Sequence, residues 1–207
     1  MIPMNASAAP ALSIVVLAAG FSARLGQPKA LARIRGEGLL RRTVRLLATT
    51  GEHRVIVVVP PGASRIRAAL RGCQVDFGVN SRRAQGMSTS VRCGLRRARY
   101  SAATLLLPMD LAALTARDLG RLLRRWQGSR RRVVARKADD RGVTPLILPR
   151  RFYAGALRVE GDSGLRHLVG RLPGEDIVLL DLPSAALDVD TRADLERARR
   201  RTRRGGT

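Results

Sequence analysis

After an apolar run the chain reads Leu17-Ala18-Ala19-Gly20-Phe21-Ser22-Ala23-Arg24-Leu25-Gly26-Gln27-Pro28-Lys29. Glycines at 20 and 26 let the backbone turn tightly and aim N–H groups at an anion. Arg24 can fork onto phosphate oxygens, and Lys29 offers a compact point charge. Holding phosphate is therefore the chemistry this loop can do; the competing reading is an ordinary strand-to-helix turn. The spacing matches neither common phosphate loop. G-x-G-x-x-G is absent, and Lys29 follows Gly26 by three positions with no Ser or Thr after it. Composition singles out Lys29: of 39 basic residues 37 are Arg, and one of the two lysines, Lys29 and Lys137, falls inside this loop.

Two acidic positions could complete such a site. Asp110 follows the apolar run Ala103–Leu107, so it stands just past a buried strand, too far from Thr115 to cap the helix expected there. Asp190 lies 80 positions later in Leu187-Asp188-Val189-Asp190-Thr191, where Asp190 or Thr191 could cap the helix that follows. A third polar stretch, Gln85-Gly86-Met87-Ser88-Thr89-Ser90-Val91, reads as a helix start with Ser88 as N-cap, and a helix N-terminus in a cleft favours polar or anionic groups. No Ser-His or Cys-His pair is visible. His53 and His167 read as surface or packing residues, Trp126 as a buried ring, Arg92 and Arg96 as surface charge, and Asp162 as a cap for a helix near Gly164.

The elements that must position these groups alternate in kind. Buried strands are expected at Leu12–Leu17, Arg54–Val59, Ala103–Leu107, Arg132–Arg136 and Ile177–Leu180. Helices are expected at Leu39–Ala48, Ser64–Leu70, Ser88–Ala98, Ala116–Trp126 and Arg192–Arg200. The pattern predicts an α/β fold: three layers, a mainly parallel sheet with helices on both faces. Ligands then sit beyond the carboxyl ends of the strands, in the loops after Leu17, Val59, Leu107 and Leu180. With 207 residues, we expect one domain over residues 11–200, a loose segment over 1–10 and a basic tail over 201–207.

The net charge is +23, yet so arginine-biased a chain with abundant Ala and Leu reads as a product of GC-rich codons with a solvated basic shell. Aromatic residues make up 3%, too few to offer stacking platforms, so no specific nucleic acid is expected as a partner. No apolar run reaches the ~20 residues that span a bilayer, so no membrane is expected. The first residues carry no Lys or Arg ahead of the apolar run, against a secretory signal, and Cys73 and Cys93 read as buried reduced thiols; the expected location is cytoplasmic.

Five segments, in order, resemble the nucleotidyltransferases akin to molybdenum cofactor cytidylyltransferase and molybdenum cofactor guanylyltransferase. Residues 17–29 resemble the signature L-A-[AG]-G-x-S-x-R-[ML]-G-x-x-K. Residues 80–95 resemble N-x(4)-G-[ML]-x-x-S-[LV]-x-x-G-L of the cytidylyl branch. Residues 105–115 resemble the strand ending in a metal-binding Asp; 161–169 resemble G-D-x-G-[AL]-R-x-L; and 187–195 resemble [DN]-[IV]-[DN]-T-P-E-D-L. The resemblance implies a Rossmann-like nucleotidyltransferase fold, with nucleotide contacts from Leu17, Ala18, Ala19, Gly20, Ser22, Arg24, Gly26 and Lys29 around the phosphates. It places Gly86, Met87, Ser88 and Ser90 near base and ribose, and Asp110 and Asp190 on Mg²⁺. Arg24, Lys29 and Asp110 become the catalytic groups for transfer of a nucleoside monophosphate, from CTP by the form of the loop and of residues 86–90, to the terminal phosphate of a molybdopterin-type cofactor, with a molybdoenzyme as a further partner. The alternatives are GTP as donor, another small phosphorylated acceptor, or a non-catalytic cofactor-binding chaperone. Three departures stand out: Leu111-Ala112 in place of D-x-P, Gly142-Val143-Thr144-Pro145 where the family often has G-H-P, and no proline after Thr191. The second bears on the acceptor.

Overall fold

The structure, a computed structural model, describes residues 11–51, 53–137 and 143–204. Among the described residues nine strands form: β1 Leu12–Leu17, β2 Arg33–Ile34, β3 Glu37–Gly38, β4 Arg54–Val59, β5 Asp76–Val79, β6 Ala103–Pro108, β7 Val133–Arg136, β8 Leu146–Pro149 and β9 Ile177–Leu180. The helices are α1 Leu39–Ala48, α2 Ser64–Ala69, α3 Met87–Arg97, α4 Ala116–Gln127, α5 Tyr153–Ala156, α6 Gly164–Gly170 and α7 Arg192–Arg204. Seven strands make one sheet in the order β5-β4-β1-β6-β8-β7-β9, and β2 pairs with β3 in a separate ribbon. Only β8 runs against its neighbours in the large sheet, pairing antiparallel with β6 and β7.

The strands at the centre are apolar because both faces are covered. Along β1 the alternation of a strand sorts Ile14 and Val16 to one face and Val15 to the other. Ile14 and Val16 share a core with Leu40, Leu47 and Leu119 of α1 and α4. Val15 shares one with Val91 and Leu95 of α3 and with Leu165 of α6. A third cluster joins Leu195 and Ala198 of α7 to Leu25 and Ile34 beside the ribbon. Each fully buried Leu or Val contributes about 1.5–3 kcal/mol, against about 0–1 kcal/mol for an exposed ion pair. The apolar layers, not the arginine-rich surface, hold the fold.

The expected three-layer sheet is present, with differences in detail. Strands β5 and β8 stood outside the sequence expectations. β5 is an edge strand that contains Asp76 and Gly78 and buries one residue fully, so it lacks a strand's usual apolar signal. β8 is a four-residue strand that follows Pro145 and ends on Pro149, with three apolar residues between the two prolines. Helix α3 begins at Met87 rather than Ser88. Helix α7 continues to Arg204, past the expected end at Arg200 and into the expected tail. The expected loose segment over residues 1–10, Gly142 and residues 205–207 lie outside the described residues. Cys73 and Cys93 are unpaired thiols, half-buried rather than buried.

Candidate active site

The site is built where β1 and β6 end side by side, Leu17 opposite Pro108. As β1 ends, Ala18 donates its N–H to Val58 of β4 and the chain then leaves the sheet. Two left-handed residues shape the loop: Ser22 at φ 54° and Gly26 at φ 70°. Gly26 is where a side chain would add strain; Ser22 accepts the strain and uses its hydroxyl to take the backbone N–H of Lys29 at 2.9 Å. That contact folds the loop back on itself and fixes Lys29 at the start of a short 3₁₀ turn.

Lys29 is buried, and its ammonium lies between two carboxylates. It donates to Asp110 Oδ2 at 2.8 Å and to Asp190 Oδ1 at 2.6 Å. Arg24 pairs with the other oxygen of Asp190 at 3.0 Å. Residues from three distant parts of the chain thus meet at one point. Asp110 arrives on β6, and Asp190 is brought to it by a bridge between Leu111 and Asp188 and by the Val189 N–H on the Asp110 carbonyl at 3.1 Å. Asp190 is not spent on capping α7. Thr191 caps Asp194 N–H, and Asp194 returns the bond to Thr191, a reciprocal pair at the helix start.

The charges are mutually adjusted. Burial opposes the ammonium of Lys29, but Asp110 and Asp190 more than offset it and hold the group above its ordinary value. Burial also opposes the Asp190 carboxylate; Lys29 and Arg24 outweigh it and hold Asp190 below the usual carboxylate range. Two carboxylates converging on one small cation are a fair test of fit for a divalent ion. They supply hard oxygen donors to a single point, which Lys29 Nζ marks. Among the described residues no cluster of three or more His, Cys, Asp or Glu could hold a metal alone. Two carboxylates with substrate phosphates and waters is the donor set that suits Mg²⁺.

A cavity of about 470 Å³ opens beside this cluster, lined by Gly20, Ser22, Gly26, Lys29, Arg83 and the loop after β4. Phe21 and Arg83 stack at 4.1 Å across its edge, and Arg83 also donates to the Ala19 carbonyl at 3.5 Å. Arg83 ties the glycine loop to the polar turn before α3. There Gly86 takes φ 94° and stands at the N-cap, so Ser88 does not cap α3 as expected. Asp162 accepts the Met87 N–H at 2.7 Å, and the Gly161 carbonyl accepts the Ser88 N–H at 3.1 Å. Asp162 therefore caps α3, to which its loop packs directly, rather than its own helix α6. Ser90 is buried and takes a bond from Asn80 Nδ2 at 2.9 Å, which also donates to Thr89 Oγ1 at 2.8 Å. Ser88 Oγ is buried without a partner.

Of the residues expected at the site, Arg24, Lys29, Asp110 and Asp190 make direct contacts with one another. Gly20, Ser22, Gly26 and Lys29 line the cavity, Ala18 joins them, and Gly86, Met87, Ser88 and Ser90 form the turn beyond Arg83. Asn80, Phe21, Arg83 and the capping of α3 by Asp162 were not anticipated. Asn80 ends a strand with a weak signal, and Arg83 is one arginine among 37. His167 is exposed and Trp126 buried, as expected. Of the four loops expected to receive ligand, those after β1, β4 and β6 border the cavity and the one after β9 does not line it.

A largely parallel sheet with a glycine loop after its first strand, and with carboxylates meeting a lysine beyond the strand ends, defines the class of nucleotide-dependent transferases with a Rossmann-like sheet. Within that class the chain belongs to the MobA-like NTP transferase family, whose domain matches residues 14–177. Probable molybdenum cofactor guanylyltransferases of Rhodopirellula baltica and Opitutus terrae are 32% and 34% identical, over 93% and 82% of this chain and the same shares of their own. A nicotine blue oxidoreductase of Paenarthrobacter nicotinovorans is 29% identical over 88% of this chain and 93% of its own length. The Rv0371c protein of Mycobacterium tuberculosis H37Rv superposes with a TM-score of 0.76 at 29% identity, covering 93% of this chain and 99% of that one. Its complex with manganese gives 0.69 at 28% identity, covering 91% and 98%. No helix among the described residues is long and apolar enough to cross a membrane.

Proposed function

We propose that the protein transfers a nucleoside monophosphate from a nucleoside triphosphate to the terminal phosphate of a molybdopterin-type cofactor and releases pyrophosphate. The observation that carries this reading is the clamp of Lys29 between Asp110 and Asp190 at the mouth of the glycine-loop cavity. The acceptor phosphate, whose second pKa is about 6, is already ionised near neutral pH and needs no general base. One of its oxygens attacks the α-phosphorus; a new P–O bond forms, and the α-phosphorus bond to the bridging oxygen breaks with its electron pair leaving on pyrophosphate. The glycine loop holds the triphosphate through its N–H groups, while Arg24 and Lys29 offset the charge that grows on the leaving group. Asp110 and Asp190 are the residues that would hold a magnesium ion, which would supply further neutralisation of that charge.

The base is read in two ways. Leu17-Ala18-Ala19-Gly20 and Gly86-Met87-Ser88 favour CTP on the cytidylyl resemblance. The names of the Rhodopirellula and Opitutus relatives favour GTP. On the acceptor side, Val143, Thr144 and Pro145 stand where the family often has a histidine, so a different phosphorylated acceptor is the second reading there. Arg24, Lys29, Asp110 and Asp190 in mutual contact support a catalyst over a cofactor chaperone.

The test is a thermal-shift panel with Mg²⁺ and CTP, GTP, ATP or UTP, since a ligand that binds the native state raises its melting temperature. A clear shift with CTP or with GTP, at least twice that with the other three, supports the reading and names the base. Equal small shifts with all four contradict it and leave a generic polyanion site.

A further inference from the structure

We propose that Phe21, held by Arg83, is a stacking platform for the flat heterocycle of the bound nucleotide. It adds affinity common to all bases rather than choice among them; the inference rests on the nucleotide reading above. Phe21 is 59% exposed, more than any other large hydrophobic side chain among the described residues. A lone exposed apolar side chain is ordinary; the surroundings of this one are not. First, Phe21 lies inside the glycine loop and lines the same cavity of about 470 Å³ as Lys29. Second, the Arg83 guanidinium sits 4.1 Å from the centroid of its ring. Arg83 is itself half-buried and donates to the Ala19 carbonyl at 3.5 Å. Cation–π attraction on one face therefore restricts the ring before a ligand arrives, and less side-chain freedom is lost on binding. Third, the cavity lining divides by chemistry. The glycine loop brings backbone N–H groups and the Lys29 ammonium, whereas Pro60, Pro61, Ile66 and Met109 bring apolar surface. With the triphosphate on the polar residues, the apolar wall is left for the rest of the nucleotide. Among the described residues Phe21 is the only aromatic ring on that lining, and Met87 and Ser88 of α3 do not reach it. Every base has a π face, so a single stacking ring binds them all and leaves discrimination to polar contacts elsewhere.

Two readouts test the platform. Calorimetric titration with CTP, GTP and inorganic tripolyphosphate, each with Mg²⁺, separates ring from phosphate recognition. We expect Phe21→Ala to bind either nucleotide at least ~10-fold more weakly, the scale of one lost base–aromatic stack. Phe21→Leu, apolar but without a flat face, should lose nearly as much. Tripolyphosphate affinity should stay within ~2-fold in both, and the CTP-to-GTP affinity ratio within ~3-fold. The second readout is fluorescence of Phe21→Trp. The native Trp126 is buried in the core, so emission that responds to ligand comes from position 21. We expect quenching by the preferred nucleotide, none by tripolyphosphate or by a phosphate-free pterin, and no response in the wild type. Phe21 belongs to none of the apolar core clusters, and Phe21→Leu and Phe21→Trp keep the test open if Phe21→Ala does not fold. Wild-type affinity in Phe21→Ala or Phe21→Leu, or equal losses for nucleotides and tripolyphosphate, overturns the proposal. Quenching by the pterin and by no nucleotide gives the platform to the acceptor and overturns it too. A wild type that binds no nucleotide overturns the nucleotide reading as well; a wild type that binds one, with a Phe21→Ala that binds it equally, overturns this inference alone.

Discussion

Lys29 does two jobs that its contacts make separable. It pins the glycine loop to the sheet through Asp110, and it brings positive charge to the cavity. Because such preorganised charge is worth ~10²-fold or more in rate, Lys29→Ala and Asp110→Ala are each expected to lower turnover at least ~100-fold in a pyrophosphate-release assay. Near-normal turnover in either variant contradicts the mechanism. The shifted titrations predict a pH effect of definite sign. Asp190 has a depressed folded value, so its contribution to stability is complete above the ordinary carboxylate range, near ~4, and is lost as pH falls through the folded value. In chelated buffer, Asp190→Asn should melt below the wild type at neutral pH, and the gap should close as the pH drops below that range. A gap that is unchanged or wider in acid contradicts the ion-pair account. Composition singles out Lys29, since codon bias alone favours arginine. Its place between two carboxylates was not legible, because Asp110 and Asp190 lie 81 and 161 positions away.

Among the elements, β1 and its loop were the most legible. Six apolar residues ending in small ones and two glycines is a local pattern, and local patterns survive into structure. Helix α1 and the strands β1 and β4 match the expected ranges for the same reason: their apolar runs are set by burial inside the fold; the edge strand β9 matches its expected range as well. The antiparallel β8 was not legible, since nothing local in Leu146–Pro149 states which neighbour it will pair with or in which direction. The cap on α3 was misread in the same way. Ser88 has the right residue type for a cap, but Asp162 outcompetes it from 75 positions away. How close α3 sits to the sheet yields a direct prediction. A Cβ at Gly94 would lie 2.3 Å from Val15 Cγ1, so no side chain fits without moving α3 off β1. Gly94→Ala gains helix propensity of about 1 kcal/mol, but overpacking costs about 1–3 kcal/mol, and Val15 sits at the centre of the sheet. We expect a net loss, read as a lower denaturation midpoint with an unchanged slope; a stabilised variant shows that the interface has room.

For the whole molecule, the charge of +23 is carried almost wholly by arginine. The arginines are spread through pairs with Glu37, Asp76 and Asp176 and through bonds to carbonyls rather than gathered by one recognition element. The fold class was legible because alternation of strands and helices is a global pattern that tolerates local errors. The acceptor was not, because Val143-Thr144-Pro145 departs from the family pattern that would have pointed to it. In the proposed function, the carboxylate pair, Lys29 and the glycine loop together carry nucleotidyl transfer. The most direct measurement follows α-labelled CTP and α-labelled GTP with Mg²⁺ and a molybdopterin-type cofactor, scoring label on the acceptor against pyrophosphate released. The account predicts one pyrophosphate per labelled acceptor with one of the two nucleotides, and loss of both products in Asp110→Ala. No transfer of label with either nucleotide, or transfer that persists unchanged in Asp110→Ala, contradicts it.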